Sequence, residues 1–264
     1  MPISPSGTAY ELAGPADRPL VVLIHGIGLH RGIWLDYIPV LADNYRVLAY
    51  DFLGHGESAR SPEPLSLPCL ATQLDTLMAD LELEDGIITG FSMGGMINRR
   101  FAMDFPQRTR GLVVMNSPHQ RTPEAQELVE QRVRDTAAGG PGATLQAALE
   151  RWFTPDFMVS DPDIVAEVSH WVLANDPEVF TQARMLLATG VLELISPDPP
   201  INCPTLVMTC EYDSGSTPYM ARAIAADIEG AETVIVPGLQ HLGMMERPKL
   251  FLDPLLAFLH RNFD

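Results

Sequence analysis

The stretch Gly86-Ile87-Ile88-Thr89-Gly90-Phe91-Ser92-Met93-Gly94-Gly95-Met96-Ile97-Asn98 decides the fold. Its first four residues are an apolar run that reads as a buried strand, and residues 95–103 read as a helix. Between them Gly90-Phe91-Ser92-Met93-Gly94 is a G-x-S-x-G at a strand-to-helix turn, the pattern of a nucleophile elbow. So tight a turn predicts a strained backbone at Ser92, with the hydroxyl raised above the sheet beside a helix N-terminus. Glycine is needed two residues before and after it, because a Cβ there would clash across the turn. The short motif alone occurs often by chance; the flanking strand and helix make it specific.

Working outward, strand-like and helix-like segments alternate from residue 20 to residue 116. Strands are predicted at residues 20–25, 46–51 and 110–116, and helices at 32–42 and 70–83. The strands are short and apolar on both faces, as a parallel sheet covered by helices requires. The rhythm breaks after Asn116. Residues 118–197 show helical segments at 123–137, 143–152, 162–174 and 178–189, with a Gly139-Gly140-Pro141-Gly142 breaker. Prolines in Ser196-Pro197-Asp198-Pro199-Pro200 exclude helix and mark a return linker. Strands resume at 203–210 and 232–236, with helices at 217–228 and 248–262. The expectation is an α/β doubly wound, mostly parallel sheet, with residues 1–117 and 198–264 as core and 118–197 as an inserted helical unit.

Composition narrows the function classes. The chain has 264 residues, 46% hydrophobic and 19% charged, enough for one large α/β core plus an insertion. Apolar runs such as Leu20-Val21-Val22-Leu23-Ile24 are strand-length, well short of a membrane span of roughly 18 residues. The N-terminal Met1-Pro2-Ile3-Ser4-Pro5 lacks the basic and apolar regions of a signal peptide, so a cytoplasmic protein is the default expectation. Cys69, Cys203 and Cys210 are an odd number without metal-like spacing, as buried thiols in a reducing compartment would be. The last two bracket one predicted strand, which holds them too far apart to bridge. A formal net charge of −17 argues against nucleic acid and anionic membranes as partners. It does not decide the charge of an internal pocket, and monomer and homodimer remain equally open.

A serine hydroxyl needs a base within hydrogen-bond reach and a group that orients the base. His241 follows the last predicted strand, and Asp213 follows the strand before it. Both stand at C-terminal strand ends, the edge where Ser92 emerges and where open α/β sheets place their sites. The reading is Ser92 as nucleophile, His241 as base and then acid, and Asp213 as orienting carboxylate. Glu211 competes for the acid role, but Asp213 lies further into the loop on a shorter side chain. Asn116, at the end of the preceding strand, cannot serve as a carboxylate. Two donors must face the oxyanion: the Met93 N–H, and the Ile27 N–H in His25-Gly26-Ile27-Gly28. His25 reads as a brace for that loop, and His55, between Gly54 and Gly56, as loop scaffolding. His30 could line the pocket or face water.

These residues carry a resemblance to the α/β-hydrolase family over essentially the whole chain. They are His25-Gly26, Asp51-Phe52-Leu53-Gly54-His55-Gly56-Glu57-Ser58, Gly90–Gly94, Asp213 and His241. Gly90 to Gly95, Arg151-Trp152-Phe153-Thr154 and Met185-Leu186-Leu187-Ala188-Thr189 resemble the 3-oxoadipate enol-lactonase-like branch. The resemblance implies a helical cap at about 118–197 and a carboxylate-bearing substrate. Arg121, Arg132, Arg134, Arg151 and Arg184 are the candidates to bind that carboxylate. The chain departs from the family pattern in three places. Thr8–Leu12 alone precedes the His-Gly strand, which leaves open whether the first family strand is present. Cys210 stands where the acid loop usually begins with Gly, and that loop is one residue longer than is common.

The activity these readings imply is hydrolysis of a small carboxylic ester or lactone, with no cofactor. A C–C bond hydrolase of a ring-cleavage diketone would use the same triad, and a ligand-binding protein could keep the fold without turnover. Gly26-Ile27-Gly28 is a weak dinucleotide fingerprint, because its third glycine would fall at Arg31. The seven histidines show no metal-ligand spacing. Trp152, Phe153, Phe157 and Trp171 are equally readable as pocket walls or as core of the helical unit.

Overall fold

Seven strands form one sheet in the computed structural model, which describes residues 2–263. They are β1 (Tyr10–Ala13), β2 (Leu20–Ile24), β3 (Arg46–Tyr50), β4 (Gly86–Phe91), β5 (Thr109–Met115), β6 (Thr205–Cys210) and β7 (Glu232–Val236). Their order across the sheet is β1-β3-β2-β4-β5-β6-β7. β1 runs antiparallel to β3, and every other pairing is parallel. β2, β4 and β6 are buried at every position, so helices cover both faces of the sheet, which explains their unbroken apolar runs.

The helices before β5 are α1 (Ile38–Ala42), α2 (Leu67–Asp80) and α3 (Gly94–Asp104). Between β5 and β6 every regular element is helical: α4 (Pro123–Gly139), α5 (Leu145–Trp152), α6 (Pro155–Ser160), α7 (Pro162–Leu173) and α8 (Pro177–Thr189), with short 3-10 turns. After β6 come α9 (Pro218–Ala226), α10 (Gly243–Glu246) and α11 (Pro248–Phe263). No helix among the described residues is long and apolar enough to cross a membrane.

Several sequence expectations need correction. The helix expected at 32–42 is a 3-10 turn at Arg31–Trp34 followed by the short α1. His30 caps the turn by accepting from the Gly32 N–H, and Pro39, which has no N–H to give, starts a fresh helix instead of continuing one. α2 begins at Leu67, not 70, because the Ser66 hydroxyl caps it with Pro68 in its first turn. α6, absent from the sequence reading, is a single short helix capped by Thr154. One strand, β1, precedes β2, and an isolated Ile3–Ala9 bridge is all that precedes β1 among the described residues.

Candidate active site

The chain leaves β2 for β3 on one side, then crosses back to lay β4 on the other side of β2. This reversal opens a crevice at the C-terminal ends of β2 and β4, the switch point where such sheets bind ligands. Ile24 and Gly90 are register partners there, so the loop after β2 and the turn after β4 emerge side by side. Ser92 occupies that turn with φ +55°, a left-handed conformation rare for a residue with a side chain. It is anchored by its N–H, which donates to the Met115 carbonyl at 2.8 Å. A Cβ on Gly90 would strike the Gly94 backbone, and one on Gly94 would strike the carbonyls of Ile24 and His25. The second glycine therefore lets α3 pack against the end of β2.

β5, β6 and β7 lie beside β4 in chain order, so their C-terminal ends deliver the next residues along one edge. His241 Nε2 lies 3.1 Å from Ser92 Oγ, and His241 Nδ1 lies 2.6 Å from Asp213 Oδ2. Asp213 is buried, and its oxygens are fully engaged. Oδ1 accepts from the N–H groups of Gly215 and Ser216, both at 2.9 Å, and Oδ2 also accepts from Asn116 Nδ2 at 2.9 Å. Burial pushes the Asp213 pKa up, but the His241 charge and the bonds from His241, Asn116 and Ser216 outweigh it and hold the carboxyl below its ordinary value. Glu211 lies elsewhere: it is exposed and accepts from the Gly238 N–H at 2.9 Å. The lengthened acid loop supplies the Gly215 and Ser216 donors. Asn116, dismissed from the sequence as a non-acid, grips the acid instead.

The oxyanion candidates lie where the crevice opens. A Cβ on Gly26 would lie 3.1 Å from the Ser92 Cβ, so the Gly26-Ile27 backbone passes directly beside the hydroxyl. Neither the Ile27 nor the Met93 N–H donates to protein among the described residues. His25 holds this loop from beneath. Its Nδ1–H donates to the Gly26 carbonyl at 2.8 Å, its Nε2 accepts from the Phe52 N–H at 3.1 Å, and its ring stacks on Phe52 at 4.2 Å. Burial drives the His25 pKa down to about 3, so the ring is neutral and can keep both roles. His55 is likewise buried and pushed down to about 3, first by burial and then by His25. Asp51 organises the same loop: it accepts from the N–H groups of Arg31 and Glu57 at 2.7 and 3.0 Å and pairs with the Arg31 guanidinium. His30 caps its 3-10 turn and packs on Trp171 at 4.3 Å.

The helical unit is tied to this edge. The His241 and Leu242 N–H groups donate to the carbonyls of Arg151 and Trp152 at the end of α5, at 3.5 and 2.8 Å. Glu246 accepts from the Thr154 N–H and hydroxyl, both at 2.7 Å. The Asn175 side chain donates to the Gly28 carbonyl at 3.0 Å. A cavity of about 70 Å³ remains, lined by Ser92, His241, Ile27 and Trp152 together with Arg121, Arg132, Arg151 and Arg184. Arg134 is excluded; it is exposed and pairs with Glu127 at 2.5 Å. Of the aromatic candidates, Trp152 is a wall of this cavity, whereas Phe153 is core and stacks on Phe157 at 5.3 Å.

Comparison with known proteins matches the chain to one family. The model of the alpha/beta hydrolase family matches residues 21–253. The 3-oxoadipate enol-lactonase 2 of Acinetobacter baylyi is 28% identical over 252 residues, covering 96% of this chain and 92% of the relative. The (E)-2-((N-methylformamido)methylene)succinate hydrolase of the same organism is 26% identical over 259 residues, covering 97% and 96%. The enol-lactonase structure from Burkholderia xenovorans LB400 has a TM-score of 0.88 at 26% identity, covering 96% of each chain.

Proposed function

The chain belongs to the alpha/beta hydrolase family, and from that premise we propose that it is a serine hydrolase of small carboxylic esters or lactones. The observation that carries this reading is the hydrogen-bonded line from Ser92 through His241 to Asp213, at 3.1 and 2.6 Å. Ser92 Oγ attacks the carbonyl carbon while His241 Nε2 takes its proton. Asp213 accepts from Nδ1–H, which leaves Nε2 as the free acceptor and stabilises the imidazolium that forms. The Ile27 and Met93 N–H groups hold the oxyanion of the tetrahedral intermediate; losing one such donor costs about 10²–10³ in kcat. His241 then protonates the leaving oxygen as the carbonyl re-forms, giving an acyl-enzyme on Ser92. Water, deprotonated by His241, attacks the acyl carbon and releases the acid.

Similarity to enol-lactonases in both sequence and structure supports a lactone as one acyl donor. The small cavity favours a short acyl group. The test is covalent. An activated phosphonate should label Ser92, and Ser92→Ala should abolish p-nitrophenyl acetate hydrolysis. An unlabelled wild-type protein, or unchanged turnover in the variant, overturns the reading.

A further inference from the structure

Acidic residues outnumber lysine and arginine, 34 to 17. Arginines on the outside find them readily: Arg60 pairs with Asp176, Arg108 with Asp75, and Arg261 with Glu232. Arg121, Arg132, Arg151 and Arg184 do not, and all four line the cavity that holds Ser92. Among the described residues none of them makes an ion pair.

Their hydrogen bonds leave donors open. Arg184 is buried; it donates to Thr144 Oγ1 at 3.0 Å and packs over Phe180, and its Nε has no acceptor. Arg121 is held by the carbonyls of Leu187 and Ala188 at the end of α8. Arg151 spends its Nε on the Ala147 carbonyl, which frees both terminal nitrogens. Arg132 makes no hydrogen bond to protein among the described residues. Burial, and then neighbouring arginines, push Arg121, Arg151 and Arg184 down to about 10, and Arg132 contributes to the repulsion on each. Four like charges in one cavity are costly until an anion neutralises them.

We propose that this cavity takes a dianion: the substrate is a short ester or lactone bearing two carboxylates, gripped chiefly by the open guanidinium forks of Arg132 and Arg151. A single carboxylate fills one fork, because bidentate pairing uses both of its oxygens. Here two forks stand open, and the charges of Arg121 and Arg184 lie in the same cavity. Arg151 adjoins the reacting end, since its carbonyl accepts from the His241 N–H. The proposal rests on the hydrolase reading of the same cavity.

Binding separates the two claims, because it needs no turnover. Calorimetry on the full-length Ser92→Ala protein should show succinate binding at least about tenfold tighter than propionate, and neutral dimethyl succinate weakest, with an affinity that falls as salt rises. Arg132→Gln and Arg151→Gln should each weaken succinate about tenfold or more, whereas Arg134→Gln should not. Succinate no tighter than propionate, or undiminished in both cavity variants, overturns the proposal. If Arg132→Gln does not fold, Arg151→Gln and the salt dependence decide. Phosphonate labelling of Ser92 without succinate binding overturns the dianion site alone. Succinate binding without labelling supports the dianion site and overturns the hydrolase reading.

Discussion

Acid should unfold this protein through two histidines that never meet solvent. His25 and His55 are buried, with ring centres 5.7 Å apart, and their pKa values fall from 6.5 to about 3. The unfolded chain therefore binds protons that the folded chain refuses between about pH 6.5 and about pH 3. Their contribution to stability is full above the unfolded pKa and drains away as pH falls through that window. Each pH unit below 6.5 costs about 1.4 kcal/mol per histidine, so at about pH 5 the pair costs about 4 kcal/mol. That is a large share of a typical stability of about 5–15 kcal/mol. Asp213, with its pKa depressed from 3.8, loses its contribution only below about pH 4, beneath the range from about pH 7.5 to about pH 5 over which the histidines are compared. Urea unfolding at about pH 7.5 and about pH 5 measures the loss directly, and His55→Phe, which removes one titrating ring, should bring it to about 2 kcal/mol. A wild-type loss below about 1 kcal/mol, or a His55→Phe protein as acid-sensitive as wild type, would refute the reasoning. The same protonation reaches the site. A charged His25 would aim an Nε2 donor at the Phe52 N–H and lose a bond that braces the Gly26-Ile27 loop, which we propose holds the oxyanion.

Asp213→Asn should lower kcat by a factor on the order of 10⁴, because the asparagine cannot hold the productive tautomer of His241. Glu211→Gln should stay within about twofold of wild type, since Glu211 bonds only the Gly238 N–H; the opposite ranking in steady-state kinetics would move the acid to Glu211. Asn116→Ala removes a hydrogen bond to a buried carboxylate, a loss of about 1.5–3 kcal/mol. It should raise the Asp213 pKa, read from an NMR titration of the side-chain carboxyl carbon, and an unmoved value would show that Asn116 does not tune the acid.

The fold was legible wherever one signal dominated. β2, β4 and β6 are buried on both faces, so their apolar runs stand out, and the elbow glycines are demanded by backbone approach that no other residue allows. Short elements held by a single cap were not. The 3-10 turn at Arg31–Trp34 rests on the His30 side chain, and α6 on the hydroxyl of Thr154. Neither is long enough to show a period. In the candidate site, Ser92, His241 and Asp213 lie in one hydrogen-bonded line, and their places along the sheet edge could be read because each follows a strand. The role of Asn116 could not, because a search for carboxylates passes over the amide that donates to one.

The arginines show where reading the helical unit failed and what would have helped. Arg132 and Arg134 share α4 two residues apart, which puts them roughly 200° apart around the axis, so both cannot face one cavity. Arg134 has Glu127 and Gln131 on its side of the helix, seven and three residues back, and bonds both. Arg132 has Val129 three residues back in the cavity wall, and the buried Val133 next to it. The phase of the helix, not the presence of charge, separates the inward arginine from the outward one. That phase was faint in the sequence because α4 fully buries only Val133 and Thr136, too narrow a stripe to orient seventeen residues. It is set instead by packing α4 against α8, which brings Arg132 and Arg184 to the same cavity. Turning this one helix would exchange which arginine faces the cavity, while the strand ends carrying Ser92, Asp213 and His241 stay where the sheet puts them.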